Sequence, residues 1–306
     1  MAEDSKIEWT DHTFNPWVGC TKVSPGCDHC YAEGWAKRAG SVTWGAERQR
    51  TSIANWRKPL QWQKRAAEFM ATHGRRQRVF CASLADVFDN QVPTEWRDDL
   101  WSLIQATPDL DWLLLTKRIG NVPNMLALPF DFAEKFPHVW IGATITSREE
   151  MLRDAPKLKA VDARVRFWSV EPMLGDLGRI PIELLPEWVI VGGESGAHAR
   201  PMNPEWAQSV RDQCAAASVP YLFKQWGEWA PGDDIDAHGM CRHNYWEQDR
   251  DDGGAPRHEW PVSEGPDFPC MRAEVYRVGK RAAGRLLDGI EHNGFPVTAK
   301  EQGNGN

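Results

Sequence analysis

Seven runs of nearly continuous apolar residues recur along the chain, and each run ends in small or polar residues. Such runs are typical of strands that are buried on both faces, because other elements cover both sides of a parallel sheet. The runs predict strands at 13–20, 78–83, 111–117, 139–145, 164–172, 188–195 and 220–227.

Stretches with apolar residues at helical spacing lie between these runs. The clearest predict helices at 95–107, 147–161 and 203–217, and the first follows Pro93 and Thr94, which form a helix start signal. Strands and helices alternate at roughly 25–30 residues per unit, which indicates βαβ crossovers and a parallel sheet. Six or seven such units favour an α/β fold built as a parallel (β/α) barrel, partial or closed. No G-x-G-x-x-G follows the first strand, which weakens the dinucleotide-binding alternative.

The same patterns divide the chain into four parts, the first being the barrel at residues 1–230. Residues 231–270 are rich in Pro, Gly and Asp without periodicity and predict a long, irregular acidic insertion on the surface. Residues 271–296 are predicted to be a helical segment that packs on the barrel, because 276–287 has helical spacing and ends before Gly289. Residues 297–306 predict a disordered tail.

The composition is that of a globular protein without a membrane part. Of the 306 residues, 42% are hydrophobic and 26% are charged, which is ordinary for a soluble protein. No apolar run reaches membrane-spanning length, and the N-terminus lacks the basic-then-apolar layout of a signal peptide. We therefore expect a cytoplasmic protein with no membrane partner, in which cysteines stay reduced and serve metal binding or catalysis.

Three of the seven cysteines lie within eleven residues. Cys20, Cys27 and Cys30 have the spacing C-x6-C-x2-C in the segment GCTKVSPGCDHCYAE. Thiolates at this density indicate metal ligands, and an iron–sulfur cluster held by three cysteines leaves one iron open, unlike a closed four-ligand zinc site. The remaining cysteines are scattered and are predicted to be structural: Cys81, Cys214, Cys241 and Cys270.

Polar residues follow the predicted strands at the ends where an α/β barrel carries its functional groups. Such residues are costly to bury without a partner. In chain order they are Ser83, Asp86, Lys117, Thr144, Glu171, Glu194, Lys224 and Gln225. Gly192 and Gly193 would let a ligand approach the backbone closely. We predict that these residues converge on the rim of the cysteine loop.

Charge is distributed unevenly, although the net charge is only −7. Residues 37–78 contain eleven Lys or Arg against two Glu, a net +9, whereas residues 231–270 contain ten acids against three Arg, a net −7. The basic stretch also carries Trp44, Trp56 and Trp62. Cations interspersed with aromatic rings are typical of nucleic-acid surfaces. Two interpretations stay open: binding of DNA or RNA through 37–78, and a solvated helical face whose Trp side chains are buried.

Several segments carry a resemblance to a known family, and together they span residues 7–289. They are IEWTDHTFNPWVGCTKVSPGCDHCYAE, VFCASLADVFD, LLLTKR, RFWSVEPMLG, WVIVGGESG with ARPM, FKQWGEW and YRVGKRAAGRLLDG. On these segments the chain resembles a phage- and bacterium-encoded family of uncharacterised three-Cys-motif proteins, which look like members of the radical S-adenosylmethionine superfamily. The GCDHCY part is also similar to the cysteine loop of the spore photoproduct lyases.

The resemblance implies a radical enzyme. Cys20, Cys27 and Cys30 would ligate three irons of a [4Fe–4S] cluster, and S-adenosylmethionine would bind the fourth iron through its amino and carboxylate groups. Reductive cleavage, fed by an electron donor, would release a 5′-deoxyadenosyl radical that abstracts hydrogen from a substrate. The basic stretch makes nucleic acid or a nucleotide the substrate class to test first.

The resemblance and the strand ends together suggest roles for individual residues. Ser83 and Asp86 stand where the superfamily carries its Gly-Gly-Glu-Pro element, which holds the methionyl amine. The candidate cofactor-binding residues are Tyr31, Ser83, Asp86, Thr144, Gly192, Gly193 and Gln225. The candidate catalytic residues are Lys117, Glu171 and Glu194.

Two other classes of function stay open. In one, the protein is a zinc-stabilised nucleic-acid-binding protein, and Cys81 or His29 completes a structural site with the cysteine loop. In the other, it is a phage accessory protein that acts only with a partner protein and has no catalysis of its own. Iron and sulfide content separates the radical enzyme from the zinc protein.

Overall fold

The computed structural model describes residues 5–40, 42–126, 131–232, 256–260 and 274–296. Most of the predicted acidic insertion at 231–270 and all of the predicted tail at 297–306 lie outside the described residues. None of the helices in the described ranges combines the length and the apolar character needed to cross a bilayer.

A seven-stranded parallel sheet organises the described part of the chain. The strands of all the sheets in the described residues are β1 (His12–Thr13), β2 (Trp17–Val18), β3 (Gln49–Arg50), β4 (Gln77–Cys81), β5 (Leu110–Thr116), β6 (Val139–Thr144), β7 (Val165–Val170), β8 (Trp188–Gly192), β9 (Tyr221–Gln225), β10 (Trp229–Pro231), β11 (Arg257–Glu259) and β12 (Glu274–Arg277). The large sheet has the order β1-β4-β5-β6-β7-β8-β9 and forms a half-barrel. The predicted α/β fold with a partial parallel barrel is therefore confirmed.

The first predicted strand, 13–20, is wrong as a single element. It splits into β1, which pairs in parallel with β4, and β2, which pairs antiparallel with β3. Pro16 lies between the two pieces and has no N–H for a sheet ladder. The Asn15 side chain accepts a hydrogen bond from Leu84 N at 2.7 Å and donates one to Ser83 Oγ at 2.9 Å. The chain therefore turns at 15–16 and brings the cysteine loop beside the end of β4.

The three predicted helices are confirmed with small changes at their ends. The helices are α1 (Tyr31–Ala39), α2 (Ile53–Trp56), α3 (Lys58–Lys64), α4 (Ala66–His73), α5 (Thr94–Gln105), α6 (Val122–Met125), α7 (Phe132–Lys135), α8 (Arg148–Lys159), α9 (Pro204–Ala216) and α10 (Lys280–Ala283). Ser147 begins α8 by accepting a hydrogen bond from Glu150 N, and Asn203 begins α9 by accepting one from Glu205 N. These caps satisfy N–H groups that have no partner within the helix.

The two faces of the large sheet are both apolar but carry different groups. One face packs against α5, α8 and α9. The other carries a separate cluster of rings, with Trp9, Trp140, Phe167 and Trp188 fully or almost fully buried. A Cβ on Gly142 would lie 2.6 Å from Phe167 Cε1, so the glycine lets this ring lie across the neighbouring strand. The rings fill the middle of the half-barrel and leave the carboxyl ends of the strands to polar residues.

The predicted C-terminal helix is shorter than expected. Tyr276 lies in β12, where it pairs with β10 and β11, and the helix α10 spans only Lys280–Ala283. Gly279 and Gly284 flank it with φ values of 84° and 66°, and this left-handed backbone ends a helix at both sides. Helical spacing of apolar residues in 276–287 therefore did not produce a long helix.

Candidate functional site at the carboxyl edge of the sheet

The cysteine loop lies at the carboxyl end of β4. Gly19 N donates a hydrogen bond to Leu84 O at 3.1 Å. Cys27 ends a 3-10 helix at Pro25–Cys27 and is buried, whereas Cys30 is the residue that precedes α1. A Cβ on Gly26 would lie 2.7 Å from Thr146 Cγ2 and 3.5 Å from Lys117 Cε. The loop therefore also lies against the residues that follow β5 and β6.

Two arginines hold the first cysteine of this loop. Arg118 Nη1 donates to Cys20 Sγ at 3.3 Å, and Arg118 Nη2 donates to Thr21 O at 2.8 Å. Arg48 Nη2 donates to Thr21 Oγ1 at 2.7 Å and pairs with Asp89, with only 3% of either charged side chain exposed. Burial raises the pKa of the Cys20 thiol to about 11, with a further rise from Asp86 that Arg118 opposes.

Asp86 fixes the direction of Arg118. Its carboxylate accepts hydrogen bonds from Thr116 Oγ1 at 2.7 Å, Lys117 N at 3.1 Å and Arg118 Nη1 at 3.2 Å. It also accepts one from Phe88 N at 2.9 Å. The carboxylate oxygens are thus occupied by groups of the chain itself, and the geometry makes Asp86 a support for Arg118 and Cys20.

The second half of the loop is held from β8 by Glu194. Arg200 donates to both oxygens of Glu194, at 2.8 and 2.6 Å, and also to Pro25 O at 2.9 Å. His29 Nδ1 lies 3.1 Å from the same carboxylate. Burial alone would raise the pKa of Glu194, but the hydrogen bonds from Arg200 and His29 outweigh it and lower that pKa. Sequence reasoning missed Arg118 and Arg200, although both stand in quoted segments, LLLTKR and ARPM.

The Glu194–Arg200 pair predicts acid sensitivity. Because the pKa of Glu194 is lowered on folding from its usual 4.5, its contribution is complete above about pH 4.5 and is lost as pH falls through the folded-state value. Wild type should therefore be more stable than Glu194→Gln at pH 7, and the difference should shrink as the pH falls below about 4.5. Urea unfolding of both proteins at several pH values measures this difference, and a difference independent of pH would contradict the prediction.

A second polar cluster lies where β7, β8 and β9 end. Lys224 Nζ forms an ion pair with Glu171 Oε1, and Gln225 Nε2 lies 3.4 Å from the same oxygen. Gln225 Nε2 also donates to Ser195 Oγ at 3.0 Å. Both charged side chains of the ion pair are about one-sixth exposed, so the cluster faces an accessible space and is able to exchange partners with a ligand.

Tyr31 lies between this cluster and the cysteine loop. Its hydroxyl donates a hydrogen bond to Ser83 O. Tyr31 is 61% exposed, and its pKa is raised, chiefly by desolvation and then by Cys30 and Glu171. Thr144, at the end of β6, is buried.

The two glycines that follow β8 have different surroundings. A Cβ on Gly193 would lie 2.7 Å from Trp226 C and closer still to Trp226 O, so backbone of the next loop requires this glycine. A Cβ on Gly192 would meet Glu171 and Gln225 O only at 3.5 Å, which is ordinary contact. Packing therefore explains Gly193, whereas a Cβ on Gly192 would fit in ordinary contact with Glu171.

The three thiols are the donors for which the sequence predicts a cluster. Among the residues that the structure describes, no group of three or more His, Cys, Asp or Glu side chains is arranged to hold a metal ion. The chemistry of the donors nevertheless fits an iron–sulfur cluster, because all three are cysteines of one loop and Cys20 Sγ already accepts an N–H···S bond.

Four arginines among the eleven cations of the basic stretch at 37–78 pair with carboxylates elsewhere in the chain. Ion pairs join Arg48 to Asp89, Arg50 to Asp99, Arg75 to Asp11, and Arg76 to Asp109 and Asp111. Trp62 is 1% exposed and stacks on His12, so its ring is not available to a base. Arg38, Arg57 and Lys64 remain exposed. Binding of DNA or RNA through 37–78 stays a prediction, with a smaller set of cations to support it.

Comparison with known proteins gives one family match and a few distant structural similarities. A family model described as "Protein of unknown function (DUF5131)" matches residues 4–296, and no curated protein sequence matches the chain. A cysteine-to-serine mutant of spore photoproduct lyase is similar with a TM-score of 0.43 and 13% identity, over 70% of this chain and 74% of that chain. A double mutant of spore photoproduct lyase with bound AdoMet and dinucleoside spore photoproduct has a TM-score of 0.42 and 14% identity, over 90% and 70%. A citrate lyase from Burkholderia xenovorans LB400 has a TM-score of 0.29 and 13% identity, over 68% and 71%.

Proposed function

We propose that this chain, which belongs to the DUF5131 family of proteins of unknown function, is an iron–sulfur enzyme of the radical S-adenosylmethionine type. The observation that carries the proposal is the place of the three-cysteine loop, which lies against the carboxyl ends of β4, β5 and β6. Functional groups of α/β barrels collect at this edge.

Cys20, Cys27 and Cys30 would hold the cluster. Cys30 directly precedes α1, and the N-terminal end of a helix stabilises nearby negative charge, such as that of an iron–sulfur cluster with its thiolate ligands. Arg118 likewise favours the thiolate of Cys20 through its N–H···S bond at 3.3 Å. When bound, a [4Fe–4S] cluster supplies the electron that cleaves S-adenosylmethionine. The role of the protein would be to bind the cluster and S-adenosylmethionine and to exclude water from both.

Residues beside the loop would bind the cofactor. Tyr31 offers an accessible ring for stacking, the backbone at Gly192 carries no side chain between it and Glu171, and Gln225 offers an amide. Ser83 and Thr144 stand at strand ends within the same edge. The contacts of Asp86 and packing of Gly193, described above, instead support indirect roles, in which these two residues hold the loop and the strands in place.

The candidate catalytic residues likewise divide into those that would contact a ligand and one that holds the cysteine loop in place. Lys117 is half-buried and forms no ion pair within the part of the chain that the structure describes, so its ammonium is available to a carboxylate or phosphate. Glu171 and Lys224 form an ion pair in which a ligand could replace either partner, and they would orient a polar substrate or move a proton. Glu194 is committed to Arg200 and would position the loop.

Anaerobic purification and cofactor addition test the proposal. We expect a brown protein that absorbs near 400 nm, with a reduced-state electron paramagnetic resonance spectrum that S-adenosylmethionine changes. Dithionite, in place of the electron donor, should then yield 5′-deoxyadenosine. Lys117→Met should reduce this yield with iron content unchanged, because the substitution removes a cation and no cluster ligand.

Two controls make the result decisive. Lys157→Met, a substitution on the exposed side of α8 where Lys157 pairs with Asp154, should leave the yield as in wild type. Colourless protein with one zinc, or a spectrum that S-adenosylmethionine leaves unchanged, would overturn the proposal. The zinc result would favour a structural metal site.

A further inference from the structure

One cysteine of the loop has a charged partner that the other two lack within the described residues. Arg118 Nη1 donates to Cys20 Sγ at 3.3 Å. No side-chain hydrogen bond to the sulfur of Cys27 or Cys30 is present in the described ranges of the chain. The three thiols are therefore not equivalent, and the difference is built into the protein.

The guanidinium of Arg118 is held on several sides. It pairs with Asp86 at 3.2 Å and donates to Thr21 O at 2.8 Å, and its side chain is only 10% exposed. Asp86 is itself fixed by Thr116 and by Lys117 N. The planar fork of an arginine can contact the sulfur, the carboxylate and the carbonyl at once, which the single ammonium of a lysine cannot.

From this geometry, and resting on the proposed function, we infer that Arg118 is a positioning residue that sets the reduction potential of the cluster through its bond to Cys20. Reduction adds an electron to a cluster that is already negative. A cation held next to a ligand sulfur in a desolvated place stabilises the reduced form more than the oxidised form. Arg118 therefore raises the potential and eases delivery of the first electron.

Redox titration of the reconstituted protein, followed by electron paramagnetic resonance, tests the inference. Arg118→Gln should disfavour the reduced form at least tenfold, a shift of about 59 mV to more negative potential for a one-electron couple. Arg118→Lys should shift the potential less, because it keeps the charge and loses the geometry. Arg166→Gln is the matched control, since Arg166 lies near the amino end of β7, where it pairs with Glu187 at 2.7 Å, and forms no hydrogen bond or ion pair with the cysteine loop among the described residues. Its potential should equal that of wild type.

The outcomes separate this inference from the function on which it rests. If wild type binds no cluster, both fail. If wild type binds the cluster and Arg118→Gln has the wild-type potential, the role of Arg118 is overturned and the proposed function stands. An equal shift in Arg166→Gln would also overturn it, because the effect would then not come from the contact with the sulfur. If Arg118→Gln does not fold or loses iron, Arg118→Lys decides in its place, and a wild-type potential there overturns the inference.

Discussion

Replacing Cys20, Cys27 or Cys30 singly by alanine is expected to remove nearly all of the roughly four irons per chain that a [4Fe–4S] cluster contributes. A cubane with three protein ligands has none to spare, so losing one thiolate exposes a second iron and the cluster decays. Iron and sulfide analysis of anaerobically reconstituted protein, with absorbance near 400 nm, measures the loss. The effect should be close to complete for each of the three.

Cys214 provides the matched control for this series. It is fully buried in α9, within the apolar core and outside the cysteine loop, so we do not expect it to bind the cluster. Cys214→Ala should keep its iron and lose only about 1 kcal/mol of folding stability from the small cavity. Full iron content in the Cys27→Ala protein would contradict the proposed ligand set, in which Cys27 would be the middle ligand of the loop.

Gly193→Ala is expected to destabilise the protein strongly, with a loss of about 3 kcal/mol in the free energy of unfolding. The added Cβ would lie within 2.7 Å of Trp226 C, and backbone atoms cannot turn aside as a side chain can. The end of β8 or the loop after β9 would have to move, which also strains the hydrogen bond from Gly193 N to Gln225 O. Thermal unfolding should show a midpoint about 5–10 °C lower.

Gly192→Ala is the neighbouring control with the opposite expectation. Its Cβ would have only ordinary contacts, at 3.5 Å, and a strand gains slightly when glycine becomes alanine. The unfolding midpoint should stay within about 2 °C of wild type. Under the proposed function the same methyl group would reduce the room for S-adenosylmethionine beside Glu171 and weaken the spectral change that the cofactor causes. Equal losses of stability in Gly193→Ala and Gly192→Ala would contradict the steric explanation for the difference between these two positions.

Most of the fold could be predicted because its signals are local. Six of the seven predicted strands appear within a few residues of their expected ends, and the helices at 95–107, 147–161 and 203–217 correspond to α5, α8 and α9. Continuous apolar runs and helical spacing depend on which faces are buried, and a chain with both in alternation has few other ways to bury them. The prediction failed where one residue overrides the pattern, at Pro16 in the first strand and at Gly279 and Gly284 around α10.

The sequence predicted which types of residue form the candidate site better than it predicted which residues they contact. Polar residues after apolar strands identified Glu171, Glu194, Lys117 and Asp86. Their partners come from elsewhere in the chain: Arg200 reaches Pro25 across 175 positions and Arg118 reaches Cys20 across 98. No local pattern reveals a hydrogen bond of this range. The sequence therefore suggested a ligand for Asp86, whereas the fold supplies Arg118.

The amino-acid sequence by itself determined the parallel sheet and the three-cysteine loop, because apolar periodicity and ligand spacing are properties of neighbouring residues. Only the tertiary structure decided which polar residues support the loop and which stay open to a ligand, because that depends on distances between segments far apart in the chain. It also decided the charge of the surface at 37–78. Four arginines among its eleven cations pair with Asp11, Asp89, Asp99, Asp109 and Asp111, since ion pairs form between residues that folding brings together.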